Sequence, residues 1–323
     1  MDPEQFFTAS GVIIVAGKGG VGKTAVTGAL AFAASSVGVR TLIVEIEGKS
    51  GLAAAFGSDQ LRYDEIDFVD PGEGHGGVTA RTLTPDDALV EYLHDHGMKR
   101  ISNRLVSTGA LDMVSTAVPG IRDILVLGKI KQLERGSDFD LIIVDAPAAG
   151  HAISFLRSAS GLADAVKVGP INNQAKEVLE LLNDPTRCRV MLVTLPEETP
   201  VNELIETAYS VEDEVGLALG PVVINGLLPR TPGLDVSPEA AAEEVGVKLT
   251  DSQIELLRDA AAFRISRAEL QDRQLHRLAQ DLPLPQLRLP QLFTSQLGLD
   301  EITTLADALI EQINGLSGQG IGG

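Results

Sequence analysis

The residues best suited to chemistry form a glycine-rich stretch near the amino terminus. Residues 17–24 fit the pattern G-x-x-x-x-G-K-[ST], in the order Gly17, Lys18, Gly19, Gly20, Val21, Gly22, Lys23, Thr24. Glycines let backbone N–H groups turn toward phosphate oxygens, and the helix after such a loop presents its positive end to the same anion. We therefore expect a nucleoside triphosphate here, with Lys23 on the β- and γ-phosphates and the Thr24 hydroxyl on Mg²⁺. Ala25, the next residue, belongs to the same predicted phosphate site.

Two flanking segments position this loop. An apolar run at residues 12–15 predicts a buried strand before it, and an alanine-rich stretch at residues 26–37 predicts a helix after it. Strand, glycine loop and helix, in that order, are the context that a phosphate-binding motif requires.

Acidic residues end the next strong strand signals. Residues 41–46 predict a buried strand, and Glu45 and Glu47 point to one side because side chains alternate along a strand. At the carboxyl end of a strand they would face the nucleotide crevice; the other interpretation is a solvated strand end. Residues 140–145 have the Walker B layout, in which a terminal acid, here Asp145, orients Mg²⁺ or a water bound to it. The Pro- and Gly-containing loop at residues 146–151 could respond to a γ-phosphate.

The composition restricts the class of protein. The chain of 323 residues has a formal net charge of −19 and no tryptophan, and 44% of its residues are hydrophobic. Nucleic-acid binding needs a basic surface, so we expect no nucleic-acid partner. We find no apolar run long enough for an integral membrane span and no signal segment, so we expect a cytoplasmic protein. The single cysteine, Cys188, excludes a cysteine-rich metal site and precedes an apolar run, which predicts a buried thiol.

The order of elements predicts an α/β fold with a doubly wound, mostly parallel sheet, in one domain over residues 1–323. Further strands are predicted at residues 190–195, 221–225 and 287–292. Residues 58–77 lack periodicity and predict a surface excursion, whereas residues 84–87 carry the capping and acidic residues of a helix start.

Three motifs taken together resemble one protein family. They are the phosphate loop with its second lysine, Lys18; the Glu-Ile-Glu-Gly at residues 45–48; and the Asp-Ala-Pro-Ala-Ala-Gly-His at residues 145–151. This combination is similar to the arsenite-efflux and tail-anchored-protein targeting ATPases, also called anion-transporting ATPases, and most similar to an actinobacterial branch. The resemblance extends over residues 11–308. It implies the deviant Walker A class of dimeric P-loop ATPases, with ATP and Mg²⁺ as ligands.

The resemblance also implies roles for single residues. Lys18 would reach across a dimer interface to the partner's nucleotide, and Gly150 would sense the γ-phosphate. Asn225 would read adenine, although an Asx turn before Gly226 is an alternative. Pro290 lies in a segment resembling the loop that closes over the base. A plain solvated lysine remains the alternative at position 18.

Two departures from the family limit the function. The interval between Asn225 and the last strand contains no cysteine, so a zinc-clamped dimer is excluded, and Cys188 alone cannot form a site for arsenite. Glu47 stands where the family has the aspartate that positions the attacking water. Its additional methylene would move that water by about an ångström, which can slow hydrolysis on the order of a hundredfold.

These observations favour an Mg²⁺-dependent ATPase switch. Glu47 would position the water and Glu45 would act near the metal, while closure of a homodimer or of a heterodimer with a paralogous ATPase would move a helical subdomain. We expect that subdomain in insertions at about residues 78–130 and 152–185, where a client or a membrane-protein partner would bind. Two alternatives remain: an ATP-dependent hetero-oligomeric scaffold with little hydrolysis, and a septum-site or partition-type ATPase.

Overall fold

The structure, a computed structural model, describes residues 1–46, 51–58, 60–95, 97–108, 120–136 and 138–316. Its strands, in chain order, are β1 (Val12–Gly17), β2 (Thr41–Ile46), β3 (Ile66–Val69), β4 (Val78–Leu83), β5 (Leu141–Ala148), β6 (Cys188–Thr194), β7 (Val222–Leu227) and β8 (Gln286–Pro290). Its α-helices are α1 (Pro3–Thr8), α2 (Lys23–Ser36), α3 (Gly51–Ala55), α4 (Pro85–Asp95), α5 (Lys99–Thr108), α6 (Ile121–Arg135), α7 (Ala149–Ala165), α8 (Pro170–Leu182), α9 (Glu198–Tyr209), α10 (Pro238–Glu244), α11 (Asp251–Asp281) and α12 (Leu299–Gly315). A short π-helical segment, Ser210–Val215, continues α9.

The strands form one eight-stranded sheet in the order β3-β4-β2-β5-β1-β6-β7-β8. The described pairings are parallel, except that β3 runs antiparallel to β4. The fold is therefore the predicted α/β type with a mostly parallel sheet. Strand β1 lies between β5 and β6, and the chain winds away from it in both directions. Such a switch point leaves a crevice at the carboxyl ends of the strands, where α/β proteins bind their ligands.

Helices cover both faces of the sheet. Helices α2 and α12 pack together on one face, and α6, α7, α8 and α9 pack on the other. Strands β1, β2 and β6 are buried along their whole length, which explains their continuous Val, Ile and Leu runs. Each such side chain contributes about 1.5–3 kcal/mol when fully buried. The strand ends beside the phosphate loop are therefore fixed by a rigid core.

The structure corrects the interpretation of residues 58–83. Part of the expected surface excursion is strand β3, and residues 78–83, expected within a helical insertion, form strand β4 beside β2. Strand β4 contains Arg81, which is buried because its guanidinium lies 4.5 Å from the centre of the Tyr63 ring and 2.9 Å from the Glu65 carboxylate. Because this charged residue interrupts the apolar pattern, the sequence did not predict the strand. The first insertion therefore becomes helical only from Pro85.

Helix α6 also differs from a free-standing insertion. Its buried side chains, among them Ile124, Leu127 and Ile130, belong to the same apolar cluster as Ile142 and Val144 of β5. Helix α6 therefore packs directly on the sheet. Helix α5, by contrast, exposes about half of Ile101 and Val106 to solvent.

Candidate nucleotide site

The predicted phosphate loop connects β1 to α2 at the centre of the sheet. Gly20 and Gly22 have φ angles of +85° and +89°, which side chains rarely adopt, so the loop needs glycine there. Gly22 is the N-cap of α2, and Lys23 is its first residue. The amino terminus of α2 therefore points into the loop, which is the arrangement that binds phosphate.

Lys23 and Thr24 are held in place by this loop and by β5. The Lys23 side chain is buried, and its Nζ donates a hydrogen bond to the Lys18 carbonyl oxygen at 3.1 Å. The Thr24 hydroxyl donates to Oδ2 of Asp145 at 2.8 Å. The sequence predicted both Thr24 and Asp145 as metal ligands from motifs more than a hundred residues apart, and the fold brings them into direct contact.

A second carboxylate lies next to Asp145. Glu45 on β2 is the register partner of Asp145 on β5, and both side chains are fully buried. Two adjacent buried carboxylates are costly unless cations accompany them. Together with the Thr24 hydroxyl they offer hard oxygen ligands, which fit Mg²⁺. The described residues contain no cluster of three or more His, Cys, Asp or Glu suited to a metal.

Glu47, the expected positioner of water, lies outside the described residues. The residues on either side of it are at the site. Glu45 adjoins Asp145, and Gly51, which begins α3, lies against the methyl group of Thr24, to which an added Cβ would come within 3.6 Å. The described residues that flank positions 47–50 thus lie beside the predicted metal ligands.

Asn225 touches the phosphate loop directly. Its Nδ2 donates to the Val21 carbonyl oxygen at 3.0 Å, and a Cβ added to Gly22 would come within 2.2 Å of that nitrogen. Asn225 lies within β7, two residues before its end. The amide therefore connects β7 to the loop, and the expected place of the base adjoins the phosphate site. Pro290 ends the neighbouring strand β8, and the N–H of Gln291 donates to the Leu227 carbonyl oxygen at 2.7 Å.

Comparison with known proteins decides the family. The model of the anion-transporting ATPases matches residues 10–174, from just before β1 into α8. The chain belongs to the anion-transporting ATPase family. ATPase BagA of Mycobacterium tuberculosis is 32% identical over 322 residues, which cover 93% of this chain and 92% of that protein. The putative arsenical pump-driving ATPase of Halobacterium salinarum is 23% identical, covering 94% of this chain and 44% of that protein. ATPase get3 of Schizosaccharomyces japonicus is 27% identical over 52% of each chain.

Lys18, the second lysine of the phosphate loop, has a partner within this chain. Nζ of Lys18 lies 2.6 Å from Oε1 of Glu203 on α9, and both side chains are about two-fifths exposed. Gly150, in the first turn of α7, lines the same cavity of about 370 Å³ as Lys18 and Glu203. The sequence did not predict Glu203, because no motif connects residues 185 positions apart.

A cleft between α4, α6 and α8 is separate from this site. It contains charged side chains, but they pair with one another: Lys129 with Glu91, and Lys131 with Glu177, each at 2.6 Å. These pairs connect α4 to α6 and α6 to α8. No helix in the described part of the chain has the length and apolar character needed to cross a membrane.

Proposed function

We propose that the protein is an Mg²⁺-dependent ATPase that acts as a nucleotide-driven switch in a dimer. The observation that carries this proposal is the contact of Thr24 with Asp145 beside the buried Lys23, at the carboxyl ends of the central strands. In P-loop ATPases these three positions bind phosphate and metal. Membership of the family supports ATP as the nucleotide.

Each residue of the loop has a distinct task in this proposal. The N–H groups of residues 19–25 and the Lys23 ammonium would bind the phosphates, while Thr24 and Asp145 would hold Mg²⁺, with Glu45 next to them. Bound Mg²⁺ would neutralise charge on the phosphate oxygens. Glu47 would orient the attacking water and accept its proton. Gly17 lets the chain turn close to β6, since a Cβ there would come within 2.4 Å of the Val193 carbonyl oxygen.

The proposed dimer uses Lys18. In this chain Lys18 is bound to Glu203, so it would have to leave that carboxylate to reach the nucleotide of a partner subunit. There it would stabilise the charge that develops during phosphoryl transfer, as an arginine finger does. Gly150 lines the same cavity as Lys18, so the two could respond together to the γ-phosphate. The partner would be a second copy or a paralogous ATPase.

The helices that would carry the effect of the switch lie next to this cavity. Gly150 lies in the first turn of helix α7, and this helix packs against α8 and α6. We propose that α4, α5, α7 and α8 form the surface that binds a client or a membrane-protein partner. The support for this is the connection of α7 to Gly150 and the exposed apolar side chains of α5.

Binding and turnover of Mg-ATP test the function. We expect the wild-type chain to bind and hydrolyse ATP, Lys23→Ala to lose binding, and Glu47→Gln to bind without turnover. Absence of ATP binding by the wild-type chain would contradict the proposal, and full turnover by Glu47→Gln would remove Glu47 from its role. Glu47 stands where the family has aspartate and can slow hydrolysis, which favours one alternative function, an ATP-dependent hetero-oligomeric scaffold with little hydrolysis. ATP-dependent exchange of partners with scarcely any turnover would favour that alternative over a working ATPase cycle.

A further inference from the structure

Helix α11 extends well beyond the sheet. Gln271 of this helix is buried, and its Oε1 accepts a hydrogen bond at 3.1 Å from the N–H of Leu228, the residue after β7. One helical turn earlier, Arg267 pairs with Glu197, which precedes α9, at 3.0 Å. The part of α11 from Asp251 to this anchor is about 30 Å long, at about 1.5 Å per residue. It therefore projects past the carboxyl ends of the strands.

The projecting part and the segment before it bury little of their own surface. We name residues 236–262 the arm. None of the residues of α10 is buried, and residues 251–260 are exposed except for Ile254, which is half-buried. The large apolar side chains that the arm exposes are Val236, Val245, Val247, Leu256 and Leu257. So many apolar side chains on one exposed projection indicate an interaction surface.

The arm is also acidic. It contains six carboxylates and two basic side chains, which gives a net charge of −4. One carboxylate, that of Glu239, pairs with Arg258 inside the arm. The carboxylates without an ion pair in the described part of the chain are those of Glu243, Glu244, Asp251, Glu255 and Asp259. A second arm would bring like charges together, whereas a surface that is both basic and apolar complements the arm.

Helix α5 of the same chain has such a surface. It contains three basic residues, Lys99, Arg100 and Arg104, and no acidic residue, in a chain whose net charge is −19. Its apolar side chains Ile101 and Val106 are each about half exposed. Neither Lys99 nor Arg100 forms an ion pair with another residue that the structure describes. The charge and the apolar side chains of α5 therefore match those of the arm.

The arm and α5 lie toward opposite edges of the sheet. Helices α4 and α5 follow β4, whereas the arm follows β7. Five strand spacings separate β4 from β7 in the sheet order, which is about 24 Å at about 4.8 Å per strand. The two surfaces are thus better placed to meet between two chains than within one.

We propose that the arm of one copy of the chain binds α5 of a second copy. The acidic arm attracts the basic helix, and the apolar side chains of both become buried together. Two copies can make this contact reciprocally and without a nucleotide, so it does not depend on the ATPase function or on Lys18. Because α5 also belongs to the surface proposed for a client, the arm and a client would exclude each other there.

Sedimentation velocity without nucleotide tests this proposal. The wild type should associate at about 0.1 M salt and dissociate toward about 1 M salt, since the Debye length falls from about 10 Å to about 3 Å over this range. The arm variant, Glu255→Lys with Asp259→Lys, should associate about tenfold more weakly at the lower salt concentration. The α5 variant, Lys99→Glu with Arg100→Glu, should show a loss of the same size.

A mixture of the two variants gives a readout that a folding defect would not imitate. The arm variant keeps the basic α5, and the α5 variant keeps the acidic arm. One contact of wild-type charge can therefore form between them, and the mixture should form heterodimers although each variant alone associates weakly.

The control is Glu212→Lys with Asp213→Lys, on the exposed π-helical segment. It changes the net charge as much as the arm variant does and should associate like the wild type. A wild type that is monomeric at the lower salt concentration would overturn the proposal, and so would a mixture that associates as weakly as its components. Association lost in the arm variant but kept in the α5 variant would also overturn it, because two arms would then be in contact.

Discussion

Gly22 and Asn225 should be coupled in the stability of the folded protein. Alanine at position 22 meets two penalties. The φ of +89° disfavours a side chain by about 1–2 kcal/mol. The new Cβ would also lie 2.2 Å from Nδ2 of Asn225, so the amide must move and lose its hydrogen bond to Val21, a loss of about 1 kcal/mol. We expect Gly22→Ala to lower the free energy of unfolding by about 2–3 kcal/mol.

The double variant separates the two penalties. Asn225→Ala alone should cost about 1 kcal/mol, because it removes the same hydrogen bond. Once that amide is absent, alanine at position 22 has space, and only the backbone penalty remains. Gly22→Ala with Asn225→Ala should therefore cost about 2–3 kcal/mol in total, about 1 kcal/mol less than the two single changes added together.

Two other glycines of the same loop are matched controls. Gly20 has a positive φ, but an added Cβ would meet nothing within 4 Å, so Gly20→Ala should show the backbone penalty alone. Gly19 has neither constraint, and Gly19→Ala should change stability by less than about 0.5 kcal/mol. Urea unfolding without nucleotide, with the slope m held in common, measures all five variants. Additivity of the Gly22 and Asn225 changes within about 0.3–0.5 kcal/mol would refute the reasoning, because the two residues would then not be in steric contact.

Three further predictions concern other parts of the chain. Glu203→Gln removes the charged partner of Lys18, and an exposed ion pair is worth about 0–1 kcal/mol. The dimer that forms with a non-hydrolysable ATP analogue should therefore strengthen by no more than about fivefold, as measured by sedimentation. A weaker dimer would contradict the proposal that Lys18 must leave Glu203 to reach the partner subunit. Hydrogen bonds from Arg40 hold the pKa of Asp140 below its usual value. The stabilisation they give is therefore present above a pH of about 4 and is lost as the pH falls through the lowered pKa. Arg40→Ala should flatten this part of the acid unfolding curve, and an unchanged curve would contradict the role of Arg40. Burial raises the pKa of the Cys188 thiol to about 12, so a thiol reagent should label it only as fast as the chain unfolds; rapid labelling under native conditions would contradict its burial.

The sequence predicted the parts of the fold where local pattern and tertiary environment agree. The central strands β1, β2, β5 and β6 contain continuous apolar runs because both faces of the sheet are covered, and such runs differ from the alternating pattern of a surface strand. Two motifs assigned Thr24 and Asp145 to one metal ion, and the structure places the two side chains in contact at the edge where the parallel strands end. These features depend on short stretches of sequence.

The parts that the sequence did not predict depend on partners far away in the chain. Strand β4 contains Arg81, whose burial makes sense only beside Tyr63 and Glu65. The ion pair of Lys18 with Glu203 depends on how α9 docks against the loop, and Glu203 has no local feature that marks it. A side chain whose role depends on a partner far away in the chain therefore has no local sequence pattern that predicts it. Glycine loops and acids at strand ends do have such a pattern.

The position of β1 has a consequence for synthesis of the chain. Its two sheet neighbours are β5 and β6, and the Asn225 amide that contacts Val21 comes from residue 225, 204 positions after its acceptor. A ribosome therefore releases the phosphate loop long before any of these neighbours exist, and pairings so distant form slowly. Until then the apolar strand β1 has no sheet to join, and such a segment is prone to aggregate. A truncated product that ends before β5 would contain the whole phosphate motif and yet lack the neighbours that shape it. The motif is thus among the first parts of this protein to be made and among the last to acquire its form.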